Sequence, residues 1–316
     1  MIRSMYSAIS GLRNHQTKLD VIGNNISNVN THGFKKSRTI FKDMVSQNLG
    51  SASSPTQTLG GVNPKQVGLG STMAAIDIIH STGSLQSTAR TLDLAIDGEG
   101  FFMVANKDDA EGVAGTNFNN VLYTRAGNFY MDKDGYLVNA EGKYLVGIAP
   151  DAAGDLEAGY DEFPTPDEIE IDEELGNLAG DTWTSPADDG SYQPIRIPTD
   201  ASEMSIGQDG TITFVDADGE LRWAGQIVLA KFPNVGGLQK VGSNYYTDTT
   251  NSGEVFLQVG TASGLGSIES GFLEMSNVDL SEEFTEMIVA QRGFQANTRV
   301  ITTSDQILEE LVNLKR

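Results

Sequence analysis

The sequence contains no cysteine and only three histidines. The lack of thiols excludes disulfide bonds, thiolate zinc sites and cysteine nucleophiles. His15, His32 and His80 do not show metal-ligand spacing, and the chain has no dinucleotide, phosphate-loop or nucleophile-elbow motif. We therefore expect no metal site, no cofactor and no catalytic residue, and we predict that the protein is not an enzyme.

Long apolar runs and basic side chains are also scarce. No apolar run approaches the roughly 20 residues that a membrane helix needs, and the N-terminus lacks the continuous apolar stretch of a signal peptide. The 21 Lys and Arg residues stand against 43 Asp and Glu, which gives a formal net charge of −22. Such a surface repels phosphate backbones. We expect no membrane insertion, no nucleic-acid partner and, for an exported protein, a route that cleaves no leader.

The negative charge is concentrated in one segment. Residues 151–194 contain 14 Asp or Glu residues and no Lys or Arg, and four prolines interrupt them. The other 272 residues carry 29 acidic and 21 basic side chains, so that they are only mildly acidic. We predict that 151–194 is a solvated acidic surface insertion.

Apolar residues recur at seven-residue spacing near the N-terminus. The residues of this stripe are Met5, Ile9, Leu12, Leu19 and Ile26. The spacing places them on one face of an amphipathic helix, which we predict over about residues 3–27. The asparagine-rich segment after Gly23 is typical of a helix end and a turn.

The C-terminus shows a second helical pattern. Asp279 followed by Glu282 has the form of a capping box, in which each side chain bonds to a backbone amide near the other residue. The apolar stripe of the helix that begins there contains Phe284, Met287, Phe294, Ile301 and Leu308. Two interpretations stay open at this point: the two helices form a coiled coil within the chain, or they contact other copies of it.

The middle of the chain is predicted to be antiparallel β structure. Residues 31–70 are rich in glycine and small polar residues and are expected to form a linker. Period-two patterns around Asp-Gly pairs predict hairpins over 92–104, 129–138 and 206–214, and further strands over 227–232 and 255–259.

These patterns together predict an α+β, mainly β fold. Paired, coiled-coil-like terminal helices bracket an antiparallel β domain that carries an inserted acidic outer subdomain. The predicted divisions are a terminal helical domain (1–30 and 280–316), a linker region (31–70 and 265–279), a central β domain (71–150 and 195–264) and the insertion (151–194).

Several segments resemble one known family. Gly11–Arg38 resembles the N-terminal signature of the bacterial flagellar rod and hook axial proteins, and Ser276–Arg316 resembles their C-terminal signature. Leu92–Val104 and the stretch Tyr-Thr-Arg-Ala-Gly-Asn-Phe at 123–129 extend the resemblance into the β region. The match covers about residues 1–147 and 195–316.

The resemblance implies a structural protein that polymerises into a helical tube. In this family, terminal helices form an inner tube, the linker makes contacts between subunits, and the β domain forms a middle layer. The ten stripe residues named above would then be assembly residues. The implied location is extracellular, in the hook and basal body, and export occurs without signal-peptide cleavage.

Within the family, the segments FKDMVSQNLG, NPKQVGLG and ILEELVNLKR resemble the compact hook subunits of Gram-positive bacteria. A hook subunit couples the rod to the filament and transmits torque. Its implied partners are further copies of itself, the hook cap protein, the distal rod protein, the hook–filament junction protein and the flagellar type III export apparatus. The alternatives are a distal rod protein and a secreted β-domain binding module.

Overall fold

The computed structural model describes residues 2–55, 60–107, 118–149, 192–199, 201–262 and 264–314. The chain divides into two compact units, each described by itself. The helical unit comprises Met1–Val29, Lys35–Ile79 and Val278–Arg316, and the β unit comprises Asn30–Phe34 and His80–Asn277. Most of the predicted acidic insertion, 150–191, lies outside the described residues.

Both predicted terminal helices are present. Helix α1 spans Ile2–Ser27 and helix α2 spans Leu280–Asn313. The Asp279 carboxylate caps α2 by accepting hydrogen bonds from the backbone amides of Ser281 (2.8 Å) and Glu282 (3.4 Å). The expected return bond from Glu282 is not made, because its carboxylate pairs with Lys36 at 2.7 Å. Neither described helix is long and apolar enough to span a membrane.

The segment expected to be a linker contains strands. Strand β1 (Ser37–Asp43) pairs with β4 (Ser71–Ile78), and β2 (Ser46–Gly50) pairs with β3 (Lys65–Gly68). Both pairs are antiparallel and belong to the helical unit. We refer to these four strands as the ribbon.

The β unit is an antiparallel structure, as predicted. Its strands are β5 (Leu85–Ser87), β6 (Leu94–Asp97), β7 (Phe101–Lys107), β8 (Phe118–Thr124), β9 (Phe129–Met131), β10 (Leu137–Asn139), β11 (Tyr144–Ile148), β12 (Gln193–Pro194), β13 (Glu203–Ile206), β14 (Thr211–Val215), β15 (Leu221–Lys231), β16 (Gln239–Gly242), β17 (Tyr245–Thr247), β18 (Phe256–Val259), β19 (Ser267–Ser270) and β20 (Phe272–Glu274). The main path of the large sheet runs β13-β14-β15-β11-β7-β8-β17-β16, while β9, β10, β12 and β18 branch from it. The pairs β6–β19 and β5–β20 are separate.

Two of the three predicted hairpins are confirmed, and the third is wrong. β9 pairs with β10, and β13 pairs with β14. In contrast, β6 pairs with β19 rather than with β7. Gly98 has a φ of +126° and lies so close to Gly266 that an added Cβ would come within 2.8 Å of the Gly266 Cα. The segment 97–100 therefore connects two different sheets instead of turning back on itself.

The end of the predicted insertion also differs from expectation. Gln193 and Pro194 form β12, which pairs with Gly147 and Val146 of β11. Tyr192 is buried. Residues 192–194 therefore belong to the large sheet rather than to a surface insertion.

The core of the β unit is formed by aliphatic and aromatic side chains from many strands. Phe102 and Phe129 are fully buried and meet edge to face, with ring centroids 5.4 Å apart. Leu94, Ile212 and Leu229 are also completely buried in the same cluster. Each such side chain contributes about 1.5–3 kcal/mol of burial free energy, so that this unit holds a complete hydrophobic core of its own.

Gly127 allows β6 to approach the large sheet. Its carbonyl accepts the Leu94 amide at 2.9 Å, and a Cβ on Gly127 would overlap the Leu94 carbonyl. We expect Gly127→Ala to destabilise the β unit by about 1–3 kcal/mol, measured by urea unfolding, because backbone atoms would have to move apart. Gly236→Ala is the matched control, since the nearest atom to its Cβ would be 3.5 Å away. Equal urea midpoints of unfolding for Gly127→Ala and Gly236→Ala would contradict this account.

Candidate assembly surface

Helices α1 and α2 pack side by side and run antiparallel. Gly11, in the first half of α1, lies against Asn297, in the second half of α2. Near the other end of the pair, the Asn25 amide donates to the Glu283 carboxylate at 3.2 Å. Lys18 forms an ion pair with Glu286 between these points. The terminal helices therefore pair with each other within the chain.

Small residues line the closest part of the helix contact. An added Cβ on Gly11 would lie 2.8 Å from the Asn297 Nδ2, and one on Gly293 would lie 2.5 Å from the His15 ring. Ala8 and Ala290 are buried. The backbones can approach closely only because these side chains are small or absent. This inner seam was missed by the sequence analysis, which weighed large apolar residues and not the small ones.

The structure places the ten predicted assembly residues in two groups. Half-buried positions are occupied by Met5, Leu12, Leu19, Ile26, Met287, Phe294, Ile301 and Leu308. Ile9 and Phe284 are exposed, with 37% and 50% of their surface accessible. The helix pair therefore covers the predicted stripes only in part.

Large apolar side chains remain exposed on more than one face of α2 and at its C-cap residue. They are Leu280, Phe284, Ile288, Val289, Val300, Ile307, Leu311, Val312 and Leu314. Phe284 and Ile288 are four residues apart, and residues three or four apart on a helix lie on the same face. Ile307, Leu311 and Leu314 have the same spacing. We call these nine residues the outer stripe.

A buried asparagine connects the helix pair to the ribbon. The Asn25 side chain donates to the carbonyl of Ser37 (2.9 Å) and accepts from its amide (3.0 Å), while also bonding to Glu283. Burial raises the pKa of the Glu283 carboxyl, and the hydrogen bond from Asn25 acts in the opposite direction. The end of α1, the start of β1 and the first turn of α2 are thereby held together.

The ribbon exposes a second apolar surface. The exposed large apolar residues of its strands and of the segments that connect them are Ile40, Met44, Val45, Leu49, Val62, Val67, Leu69, Met73 and Ile76. Val45 is 82% accessible. Isolated two-stranded sheets are marginally stable in water, and apolar ribbon faces of this kind are suited to burial against another surface. Residues 35–79 carry five basic and two acidic side chains, which gives the ribbon segment a positive charge in an acidic protein.

His15 lies in the inner seam of the helix pair. Its Nδ1 atom is buried and has no hydrogen-bond partner among the described residues. Burial lowers the pKa of the His15 imidazole, and the positive charge of Lys18 lowers it further. The neutral ring is therefore the form that fits against Gly293.

The described part of the β unit contains a polar cavity. The cavity, of about 510 Å³, is lined in part by Arg90, Asp93, Asn139, Glu141 and Tyr245. Arg90 contacts Asp93 at 3.5 Å, and the Asn139 amide donates to the Tyr245 hydroxyl at 2.6 Å. These side chains are thus engaged with one another. Within the described residues, no three His, Asp or Glu side chains converge to hold a metal ion.

Three family models match the chain. One described as "Flagella basal body rod protein" matches residues 5–35, and one described as "Flagellar basal body rod FlgEFG protein C-terminal" matches 269–314. The third, "Flagellar hook protein FlgE/F/G D1 domain", matches 95–214. The matches at 5–35 and 269–314 include most of α1 and of α2, and the third falls in the β unit.

Individual proteins are similar over the whole chain. The flagellar basal-body rod protein FlgG of Bacillus subtilis is 50% identical over 318 residues, covering 100% of both chains. The flagellar hook protein FlgE of Borreliella burgdorferi is 35% identical over 453 residues, again covering 100% of both chains. The crystal structure of the Helicobacter pylori hook protein FlgE2 matches 60% of this chain and 100% of its own, with a TM-score of 0.40 and 12% identity.

The environment of His15 predicts that the stability of the helix pair depends on pH. The folded protein binds this proton less readily than the unfolded chain, so that the contribution of His15 to stability falls as the pH drops below about 6.5. Glu283 acts in the opposite sense, because its raised pKa favours the protonated folded form at low pH. Only a comparison of variants separates the effect of His15 on stability from that of Glu283.

We expect His15→Gln to reduce the loss of helix-pair stability between pH 7.5 and pH 5.5. Thermal unfolding followed by circular dichroism at 222 nm would measure it. His32→Gln is the matched control, since His32 belongs to the β unit. The interpretation fails if the unmodified protein and His15→Gln lose stability equally on acidification.

Proposed function

Because the chain belongs to the family of flagellar rod and hook axial proteins, we propose that it is a non-catalytic structural subunit that polymerises into the flexible helical tube of the flagellar hook. The family consists of structural proteins of the flagellar axis, which implies self-assembly. The outer stripe of α2 carries the proposal, since it is an extended apolar surface that one copy of the chain does not cover.

The energetics of this surface favour a polymer over a weak pair. Complete burial of one large apolar side chain contributes about 1.5–3 kcal/mol. Association costs about 4–15 kcal/mol in lost translational and rotational freedom, so that several side chains must be buried together. A tube in which each helix pair contacts several others meets this condition. We assign Ile9 and Phe284, the two exposed residues of the predicted stripes, to contacts between copies.

The half-buried stripe residues have a dual role in this proposal. Leu12 and Phe294 are examples: each contributes to the helix pair and keeps part of its side chain accessible to a neighbouring copy. The same holds for Met5, Leu19, Ile26, Met287, Ile301 and Leu308. These residues support both helix pairing within the chain and assembly between chains.

The ribbon supports flexible contacts. Its short strands are exposed on most positions and mix apolar with basic and small polar side chains. Mixed surfaces of this kind allow alternative contacts of similar energy, which a bending tube requires as neighbouring copies slide. The ribbon would thus provide adjustable contacts and the outer stripe durable ones.

The proposed partners follow from the family and not from a contact in the structure. They are further copies of the chain, the hook cap protein, the distal rod protein, the hook–filament junction protein and the type III export apparatus. The proposed location is the extracellular hook, reached without removal of a leader. The coiled-coil character of the helix pair belongs to the same proposal.

A distal rod subunit is the second candidate. The rod protein FlgG of Bacillus subtilis is 50% identical along the whole chain, a higher identity than the 35% of the Borreliella hook protein, which aligns over 453 residues. Both candidates form axial tubes and differ in whether the tube is straight or bent. A secreted binding module, the third alternative from the sequence, has no support of this kind.

Phe284→Asp tests the assembly role of the outer stripe. Since Phe284 is half accessible in the single chain, the variant should unfold within about 1 kcal/mol of the unmodified protein. It should nevertheless fail to form tubes, as judged by negative-stain electron microscopy, because each interface would bury an unpaired carboxylate.

Thr285→Asp is the control, as it adds the same charge one residue away at an exposed polar position. This control should assemble normally. Normal tubes from Phe284→Asp would rule out a role for the outer stripe at this position.

Basal bodies from a deletion strain separate hook from rod. For a hook subunit, we expect complete straight rods without a curved tube, since hook assembly begins after the rod is finished. Shortened rods in electron micrographs would instead support the distal rod. Restoration of the curved tube by a plasmid copy of the gene is the control.

A further inference from the structure

A buried ion pair joins two distant parts of the β unit. The Arg125 side chain is 4% accessible and the Glu274 side chain 0%, and Arg125 Nη1 lies 3.3 Å from Glu274 Oε2. Burial lowers the pKa of the Arg125 guanidinium, and the charge of Glu274 raises it. The Arg125 Cζ also lies 5.2 Å from the centroid of the Phe101 ring. Two charges have thus been removed from water.

Residues 30–34, a short passage of the chain that belongs to the β unit, contact the backbone of this pair. The Gly33 amide donates to the backbone carbonyl of Glu274 at 2.8 Å. Gly33 has a φ of +71°, and an added Cβ would lie 2.7 Å from the Ala126 nitrogen. Gly33 therefore lies directly against the backbone next to Arg125, in a conformation that favours glycine.

The outgoing segment, residues 272–277, is attached at the same place. Glu274 Oε1 accepts the Gly83 amide at 2.9 Å, and the Met275 amide donates to the Ser84 carbonyl at 2.9 Å. Arg125 Nη2 in turn donates to the Gly98 carbonyl at 2.8 Å. The chain passes from one unit to the other after Phe34, before His80 and after Asn277. Gly33, Gly83 and Glu274, which lie near these three points, share one buried network.

Stability alone is a poor explanation for such a pair. Desolvation of two charges can cost as much as their attraction returns, and well-packed apolar residues often stabilise a core equally well. The planar guanidinium of an arginine, however, presents its N–H donors in fixed directions, and it can hold several backbone groups in one arrangement. The network is thus better suited to positioning than to stabilisation.

We propose that Arg125 and Glu274 are positioning residues that anchor the segments around Gly33, Gly83 and Glu274 at one point, so that force carried by any of these segments reaches the same rigid site. The force-bearing part of this inference rests on the proposed function. The anchoring part concerns the single chain and stands independently of assembly.

Amide exchange of the full chain in its monomeric form tests the anchor. In Glu274→Gln, the carbonyl oxygen can still accept the Gly83 amide, but the charge that holds Arg125 is lost. We expect the amides of Gly33 and Gly83 to exchange at least about tenfold faster by NMR, while core amides of β7 and β15 keep their protection within about twofold. Glu269→Gln is the matched control, since the Glu269 carboxylate accepts hydrogen bonds from the Gln208 amide at 3.0 Å and from the Ser267 hydroxyl at 3.4 Å.

Unchanged exchange at Gly33 would overturn the anchor, and equal acceleration of the core amides would show a general stability role instead. If Glu274→Gln does not fold, Arg125→Lys is the alternative variant, because it keeps the positive charge but loses the forked N–H donors of the guanidinium. The same pattern of amide exchange is expected for it. Because this readout needs no tubes, failure of the unmodified protein to polymerise would count against the proposed function only.

Discussion

A helix with apolar side chains on more than one face needs more than one neighbour, and this constraint governs the helical unit. α2 is 34 residues long and α1 is 26, and their contact uses the small residues of both helices. Ala290 and Gly293 face α1, whereas Phe284 and Ile288 face away from the inner seam. The large apolar side chains Phe284 and Ile288 stay exposed because the close contact is made by the small residues.

The β unit differs from the helical unit in that many of its large apolar side chains are buried within one copy. Residues such as Phe102, Phe129 and Leu229 are fully buried within one copy. Its connections to the rest of the chain converge on Arg125 and Glu274. A tube subunit requires both properties, since assembly needs incomplete surfaces and torque needs a body that does not deform.

Local signals predicted those features that depend on local chemistry. The Asp279 cap and both helices follow from short-range hydrogen bonding and from the 3.6-residue period, and the hairpin at 129–138 follows from its Asp-Gly turn. The segment 97–100 shows the limit of such signals. It carries the same Asp-Gly pair, yet Gly98 packs against Gly266, a residue far away in sequence, and the chain crosses to another sheet.

The sequence by itself determined the family, the two terminal helices and the antiparallel nature of the middle, because periodicity and turn chemistry are written in neighbouring residues. It also indicated ten stripe residues, but it could not say which of them face the partner helix. Only the tertiary structure decided that Gly11 and Gly293 line the inner seam and that Phe284 points outward. It alone joined Arg125 to Glu274, which are 149 positions apart. Burial and charge pairing depend on which surfaces meet, and that is a property of the folded chain.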